Sequence, residues 1–205
     1  MGFNRAKVQT ALDHLSKADP VLARVIQRTG PFSLKLRPDP FEALVSSIIS
    51  QQISGAAARS ISRRLRILLD GEPTPEALAR QTPEQLRSAG VSPQKARYLL
   101  DLGHQVLAGT VRVNHLRRLP DDEVIAELVQ VKGIGVWTAQ MFLMFSLGRW
   151  DVFPHDDLGI RMALRKLYRL RKLPDKKTGL RIAAPWRPYA TVASWYCWRS
   201  LELED

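Results

Sequence analysis

The chain has 205 residues, 45% of them hydrophobic and 25% charged; it can build an interior of one medium or two small domains and is no disordered chain. Lys and Arg number 31 against 20 Asp and Glu, a net charge of +11, which favours a polyanionic partner such as nucleic acid over a merely soluble basic protein. No apolar run is long enough to span a membrane, MGFNRAKVQTALDHL carries no secretory core, and the single cysteine, Cys197, excludes an internal disulfide, a cysteine-held zinc and an iron–sulfur centre, so a cytoplasmic protein is expected.

In chain order, Asp19-Pro20 reads as an N-cap and first turn, opening a helix that Gly30-Pro31 stops. Residues 32–37 alternate and suit a short extended segment. Asp39-Pro40 opens FEALVSSIISQQ, with Leu44, Val45, Ile48 and Ile49 on one face. Ser54 caps GAAARSISRRLRILL, where Ile61, Leu65 and Leu68 form an inner stripe and Arg59, Arg63 and Arg66 a basic one. After a turn at Gly71-Glu72-Pro73, Thr74-Pro75, Thr82-Pro83 and Ser92-Pro93 each start a helix; Thr82 with Gln85 fits a capping box. DDEVIAELVQ begins at Asp121 and runs through a tight turn into VWTAQMFLMFSLG, which Gly148 can cap. RWDVFPHDD is a loop. LGIRMALRKLYRL follows, with Ile160, Leu164 and Leu167 inside and Arg161, Arg165 and Arg169 outside. RKLPDKKTG reads as a basic connector, and WRPYATVASWYCWRSLE as the last helix. Strand signals are nearly absent, so the expected class is all-α.

The most informative segment is V-K-G-I-G-V-W-T-A, Val131 to Ala139. Gly133 and Gly135 permit positive φ and close approach of another backbone. A helix starts there, so unpaired N–H groups and the positive end of its dipole face outward and can hold a phosphate. Lys132 adds a charge and Thr138 a hydroxyl donor. The plain alternative is an αα-turn with two glycines.

This turn, with DVFPHDDLGIR (residues 151–161) about twenty residues later, IISQQIS (48–54) and WRPYATVASWYCWR (186–199), resembles the helix–hairpin–helix DNA glycosylase superfamily, in its 3-methyladenine DNA glycosylase II branch. The landmarks cover residues 20–200 in the family's order. The chain is similar to the compact form without the extra N-terminal β-rich domain of larger relatives. The resemblance implies two helical subdomains with the active-site cleft between them. Residues 1–40 with 150–205 would form one, 41–149 the other, and the helix–hairpin–helix would span about 121–147. It implies double-stranded DNA containing alkylated bases as the partner, and a protein acting as a monomer on no membrane.

Asp156 and Asp157 stand at a helix start, where Asp caps well; by resemblance one caps and Asp157 is the catalytic carboxylate. Cleaving an N-glycosidic bond builds positive charge on the sugar, which a fixed anion stabilises. The same carboxylate can alternatively orient a water. An alkylated purine is already cationic and leaves without a strong general acid. Its pocket needs aromatic faces, for which the resemblance offers Trp137 and Trp198; core packing is the other use of either ring. Trp186, Tyr189 and Trp195 read as packing or rim residues. Trp137 occupies the position of the Schiff-base lysine in bifunctional relatives, which implies base removal without strand cleavage. Met141 replaces a family tyrosine and softens that wall. Gln51 and Gln52 match the wedge loop that fills the hole left by a flipped base, Gln52 foremost; a solvated helix end is the alternative. Arg161 joins Lys132, Gly133, Gly135 and Thr138 as a DNA contact. No cofactor is required, but the resemblance implies Na+ or K+ held by the carbonyls of Val129, Val131 and Ile134. His155 reads as a local structural residue. Two other activities share these features: a non-catalytic DNA-binding module, which needs no carboxylate at 157, and a bifunctional oxidised-base or mismatch glycosylase, which lacks its lysine here.

Overall fold

The computed structural model describes residues 3–203, so the first two residues of the N-terminal segment read above lie outside it. Twelve α-helices and two short 3-10 turns, with no strand among the described residues, make the protein all-α. The chain divides into two compact units. The terminal unit comprises the residues up to Leu36 and those from Leu143 onward; the central unit is Arg37–Phe142.

The terminal unit contains α1 (Arg5–Ala18), α2 (Pro20–Thr29), α10 (Leu158–Leu167), α11 (Lys176–Ala183) and α12 (Ala190–Ser200). Leu15, Leu22, Ile160, Leu164, Val192 and Tyr196 are buried in one core. Asp19 ties this unit together. Its Oδ1 caps α2 by accepting from the amides of Val21 (2.9 Å) and Leu22 (3.1 Å). Its Oδ2 accepts from Trp186 Nε1 at 2.8 Å and from the Tyr168 hydroxyl. A buried carboxylate is tolerated when donors surround it. Burial, and then the bond to Asp19, hold the Tyr168 phenol well above its ordinary value. Trp186 is therefore wholly buried and polar-anchored.

The central unit contains α3 (Pro40–Ser50), α4 (Gly55–Leu68), α5 (Pro75–Ala79), α6 (Pro83–Ser88), α7 (Pro93–Leu107) and α8 (Asp121–Leu128); α9 (Val136–Phe145) begins in it and crosses into the terminal unit. Asp39, Ser54, Thr74, Thr82 and Ser92 each accept a backbone N–H as N-caps, and Thr82 with Gln85 closes the capping box. Pro at the first turn follows four of these five caps, because its missing N–H costs nothing there.

Several expectations are corrected. RKLPDKKTG is not all connector: Asp175 accepts from Thr178 N at 2.8 Å and starts α11. The last helix begins at Ala190, not Trp186: Trp186 ends a separate 3-10 turn, Ala184–Trp186. On α4 only Leu65 is buried, and Arg66 of its basic stripe pairs with Glu42 and Glu72. Residues 32–37 form no regular element and pair into no sheet. Asn4 caps α1, a helix the sequence reading did not single out.

Candidate functional site

The carboxylate at 157 lies in the terminal unit. Pro154 and the loop bend tightly: His155 N donates to Phe153 O and Asp157 N to Pro154 O, each at 3.0 Å. The chain then enters α10 with Asp157 as its N-cap, and Oδ1 accepts from Ile160 N at 2.8 Å. Trp198 Nε1, on α12, donates to the same oxygen at 2.8 Å. One helix start and one helix face thus fix a half-buried carboxylate. Asp156 is exposed and lies 3.1 Å from His155 Nε2. Capping therefore falls to Asp157 itself, and its neighbour pairs with the histidine.

Gly159 makes this arrangement possible. A Cβ there would stand 2.9 Å from Trp198 Cδ1 and 3.1 Å from Asp157 Oδ1, so only glycine lets the indole lie against the first turn of α10. The indole also packs against Phe145, with the ring centroids 5.9 Å apart and the planes tilted by 31°. Arg161 turns away, its Nε donating to Pro174 O at 3.0 Å.

The hairpin lies in the central unit. Val131 N donates to Leu128 O at 3.1 Å and Ile134 N to Val131 O at 3.0 Å. Gly133 has φ of 84°, and a Cβ on it would meet the Tyr98 ring at 2.1 Å. Both reasons for glycine apply. Gly135 differs: its φ is not positive and a Cβ would meet nothing within 4 Å. Of the two glycines expected to permit positive φ, only Gly133 uses it; the space at Gly135 leaves room for the close approach of another backbone. Lys132 is gripped at its backbone, N to Asp101 Oδ2 at 2.8 Å, while its ammonium is 3.6 Å from Asp101 Oδ1 and its side chain is 73% exposed. Gly135, Val136 and Trp137 are exposed at the start of α9, where helix N–H groups point outward.

The loop after α3 abuts this turn. Gln51 Nε2 donates to Gly133 O at 2.9 Å. Gln52 is exposed and holds φ of 55°, a left-handed conformation that costs a non-glycine residue energy. Lys95 Nζ donates to Ile49 O at 2.7 Å and Gln51 O at 2.6 Å. Gln51, Gln52, Lys95, Gly133, Trp137 and Thr138 border a concavity of about 760 Å³. Thr138 is itself buried, and Met141, half-buried one turn on, does not line it. The Val131 carbonyl accepts one N–H and retains a second lone pair. Carbonyl oxygens alone, as Val129, Val131 and Ile134 would supply, are donors of the kind a hard cation takes; no His, Cys, Asp or Glu cluster suited to a metal occurs among the described residues.

The sequence reading missed Gly159, Lys95, Tyr98 and Asp101. A glycine in a helix's first turn beside an aspartate is one signal. The spacing of three from Lys95 to Tyr98 to Asp101 is another, since it places them on one face.

The chain belongs to the HhH-GPD superfamily of base excision DNA repair proteins, whose family pattern matches residues 45–188. Within it the chain is similar to the 3-methyladenine glycosylases. DNA-3-methyladenine glycosylase 1 of Schizosaccharomyces pombe is 36% identical over 94% of this chain and 87% of its own length. Among solved structures, the S. pombe 3-methyladenine DNA glycosylase in complex with abasic DNA aligns with TM-score 0.84 and 34% identity, over 95% of this chain and 97% of its own. DNA-3-methyladenine glycosidase from Bacillus halodurans aligns with TM-score 0.82 and 39% identity, over 91% and 86%. No helix among the described residues is long and apolar enough to cross a membrane.

Proposed function

We propose that the protein is a monofunctional glycosylase that flips alkylated bases of the 3-methyladenine and 7-methylguanine type out of duplex DNA and hydrolyses their N-glycosidic bonds, acting as a monomer. The observation that carries this reading is the half-buried Asp157 carboxylate, fixed by Trp198 Nε1 and Ile160 N. As the bond between C1′ and the base nitrogen breaks, its electron pair leaves with the base and positive charge grows on the sugar. A rigid carboxylate lowers the energy of that charge without reorganising. Water then adds to C1′ and gives up a proton, leaving free base and an abasic site. Asp157 serves by charge, by orienting that water, or by both.

The remaining roles follow the chemistry of each group. Trp137, about 44% exposed, and Trp198 are each a ring that can attract a cationic base, and Met141, one helical turn on from Trp137, is the softer residue we assign to the base pocket. Trp137 stands where a lyase needs an amine, so the reaction stops at base removal. Lys132, Thr138 and the amides at Gly133 and Gly135 bind phosphate. The open space beside Gly135 is where a DNA backbone would approach. Arg161 adds charge beside the loop before α11. Gln52 enters the gap left by the flipped base. A Na+ or K+ ion on the carbonyls of Val129, Val131 and Ile134 would supply positive charge for a phosphate.

The test is to incubate the protein with duplex DNA carrying 3-methyladenine or 7-methylguanine and measure free base and abasic sites. Release well above background, without strand breaks, is expected. No release from any alkylated base would overturn the reading.

A further inference from the structure

We infer that Lys95 is a positioning residue that holds the α3–α4 loop so that Gln52 is presented to DNA, and that Gln51 links this loop to the hairpin rather than entering the duplex. This rests on the wedge reading of Gln52. It goes beyond that reading in assigning what fixes the wedge.

Three observations converge. First, the last turn of α3 is closed by a side chain from another helix. Lys95 Nζ donates to Ile49 O at 2.7 Å and Gln51 O at 2.6 Å. Ile49 O is one of the last carbonyls of α3, which carry no partner inside the helix and present the negative end of its dipole; Gln51, the residue after the helix, has an extended ψ of 129° and offers a loop carbonyl. One ammonium thus satisfies the helix-end acceptor and the loop acceptor together, and so ties the loop to the end of α3. Second, the next residue, Gln52, sits at φ of 55° and is exposed. A non-glycine residue persists in that conformation only where its surroundings over-determine it, and here the Gln51 carbonyl preceding it is pinned. Third, Gln51's own amide is spent on Gly133 O at 2.9 Å. The loop is thereby tied to the turn whose backbone Asp101 grips at Lys132. Lys95 is half-buried, and that partial burial lowers its pKa.

A lysine held in this way contributes little direct phosphate binding. Its removal should free the loop while leaving the hairpin folded. An inserted side chain must be pre-ordered to stabilise extrahelical bases. Loss of Lys95 should therefore cost lesion preference more than general DNA affinity.

The experiment is a double-mutant cycle with Lys95→Met and Gln52→Ala. Three quantities are read on the intact protein: affinity for an undamaged duplex, affinity for the same duplex with a tetrahydrofuran abasic analogue, and fluorescence of 2-aminopurine stacked beside the analogue. Gln52→Ala should lower the preference for abasic-analogue DNA and restore stacked fluorescence. Lys95→Met should reduce that preference about tenfold, as expected for loss of a charged hydrogen-bonding group, with undamaged-duplex affinity changed less than about twofold. In the Gln52→Ala background, Lys95→Met should have little further effect. Lys95→Arg, which keeps the charge and the donors, should recover most of the preference; it also reads the same coupling should Lys95→Met lower the melting temperature.

If Gln52→Ala leaves preference and fluorescence unchanged, the wedge reading fails and this inference fails with it. If Gln52→Ala acts while Lys95→Met does not, or if the two effects add fully, the wedge reading stands and Lys95 is overturned. Equal losses on undamaged and abasic-analogue DNA would make Lys95 a phosphate contact and would also overturn it.

Discussion

The two units solve opposite problems. In the terminal unit the reactive group is a side chain, and other side chains hold it: Asp157 is fixed by the Trp198 indole, and the indole is admitted by the absence of a Cβ at Gly159. In the central unit the working groups are largely backbone N–H and C=O, held by the path of the chain. Gly133, Gln51 and Asp101 shape that path. A side-chain device fails with one substitution. A backbone device degrades by increments, because each neighbour contributes only part of its geometry. Activity should therefore be fragile in the first unit and graded in the second.

Asp157→Asn tests the fragile side most severely. Asparagine caps a helix as well as aspartate, and its carbonyl can still accept from Trp198 and Ile160. Fold and DNA affinity should persist while base release falls by about 100-fold or more, the scale for losing a preorganised charge. Single-turnover release beside a melting curve reads both. If the Asp157→Asn variant stays active, the charge has no part in the mechanism.

Next in size is Gly159→Ala. Its Cβ would come within 2.9 Å of the Trp198 ring, so the indole must move and the carboxylate loses a donor. Misplacing the reacting geometry by about 1 Å costs up to about 100-fold; about tenfold in release is expected here, with DNA affinity unchanged. Trp198→Phe, which keeps an aromatic face but not the N–H, should reproduce most of that loss. If Gly159→Ala is harmless while Trp198→Phe is not, the indole is not held by the glycine.

The helical elements were legible because their punctuation is local. Asp19-Pro20, Asp39-Pro40, Thr82-Pro83 and Ser92-Pro93 each give a cap and a first turn within a few residues, and each starts a helix in the structure. Asp175 was a cap of the same kind, hidden in a basic stretch that reads as connector. The hairpin was legible as a turn, but its two glycines look alike in sequence. Only the Tyr98 ring beneath Gly133 and the space beside Gly135 separate them. The Asp-Asp pair posed the same difficulty. Which aspartate caps depends on His155 and Trp198, the second of these 41 positions along the chain from Asp157. The grip of Lys95 on Ile49 and Gln51 joins residues 46 and 44 apart, and no local pattern encodes such a pairing.

The graded side is sharpened by comparing the glycines. Gly133→Ala must strain φ of 84° and collide with Tyr98. It should destabilise the protein by about 1–3 kcal/mol, the scale of a forced left-handed residue with a clash, and weaken DNA binding as the turn distorts. Gly135→Ala has room and should change stability by less than about 0.5 kcal/mol. If DNA approaches there, it should still weaken binding about tenfold, the worth of one charge-assisted hydrogen bond. Thermal unfolding and duplex titrations on both variants separate strain from contact. A Gly135→Ala protein with full affinity would place the DNA backbone elsewhere.

The smallest effect belongs to Lys132→Ala. The ammonium is 3.6 Å from Asp101, so part of its charge is already balanced, while the grip on the turn runs through its backbone N–H, which alanine keeps. Stability should hold. Affinity should fall only a few-fold and equally for damaged and undamaged duplexes, because a phosphate contact carries no base information. The salt dependence is the sharper reading: the slope of log affinity against log salt should flatten by about 1. Asp101→Ala would not be equivalent, since it releases the backbone amide as well as the ammonium and so perturbs the turn itself. If Lys132→Ala leaves the slope unchanged, Lys132 serves only to pair with Asp101, and phosphate binding at the hairpin rests on the backbone alone.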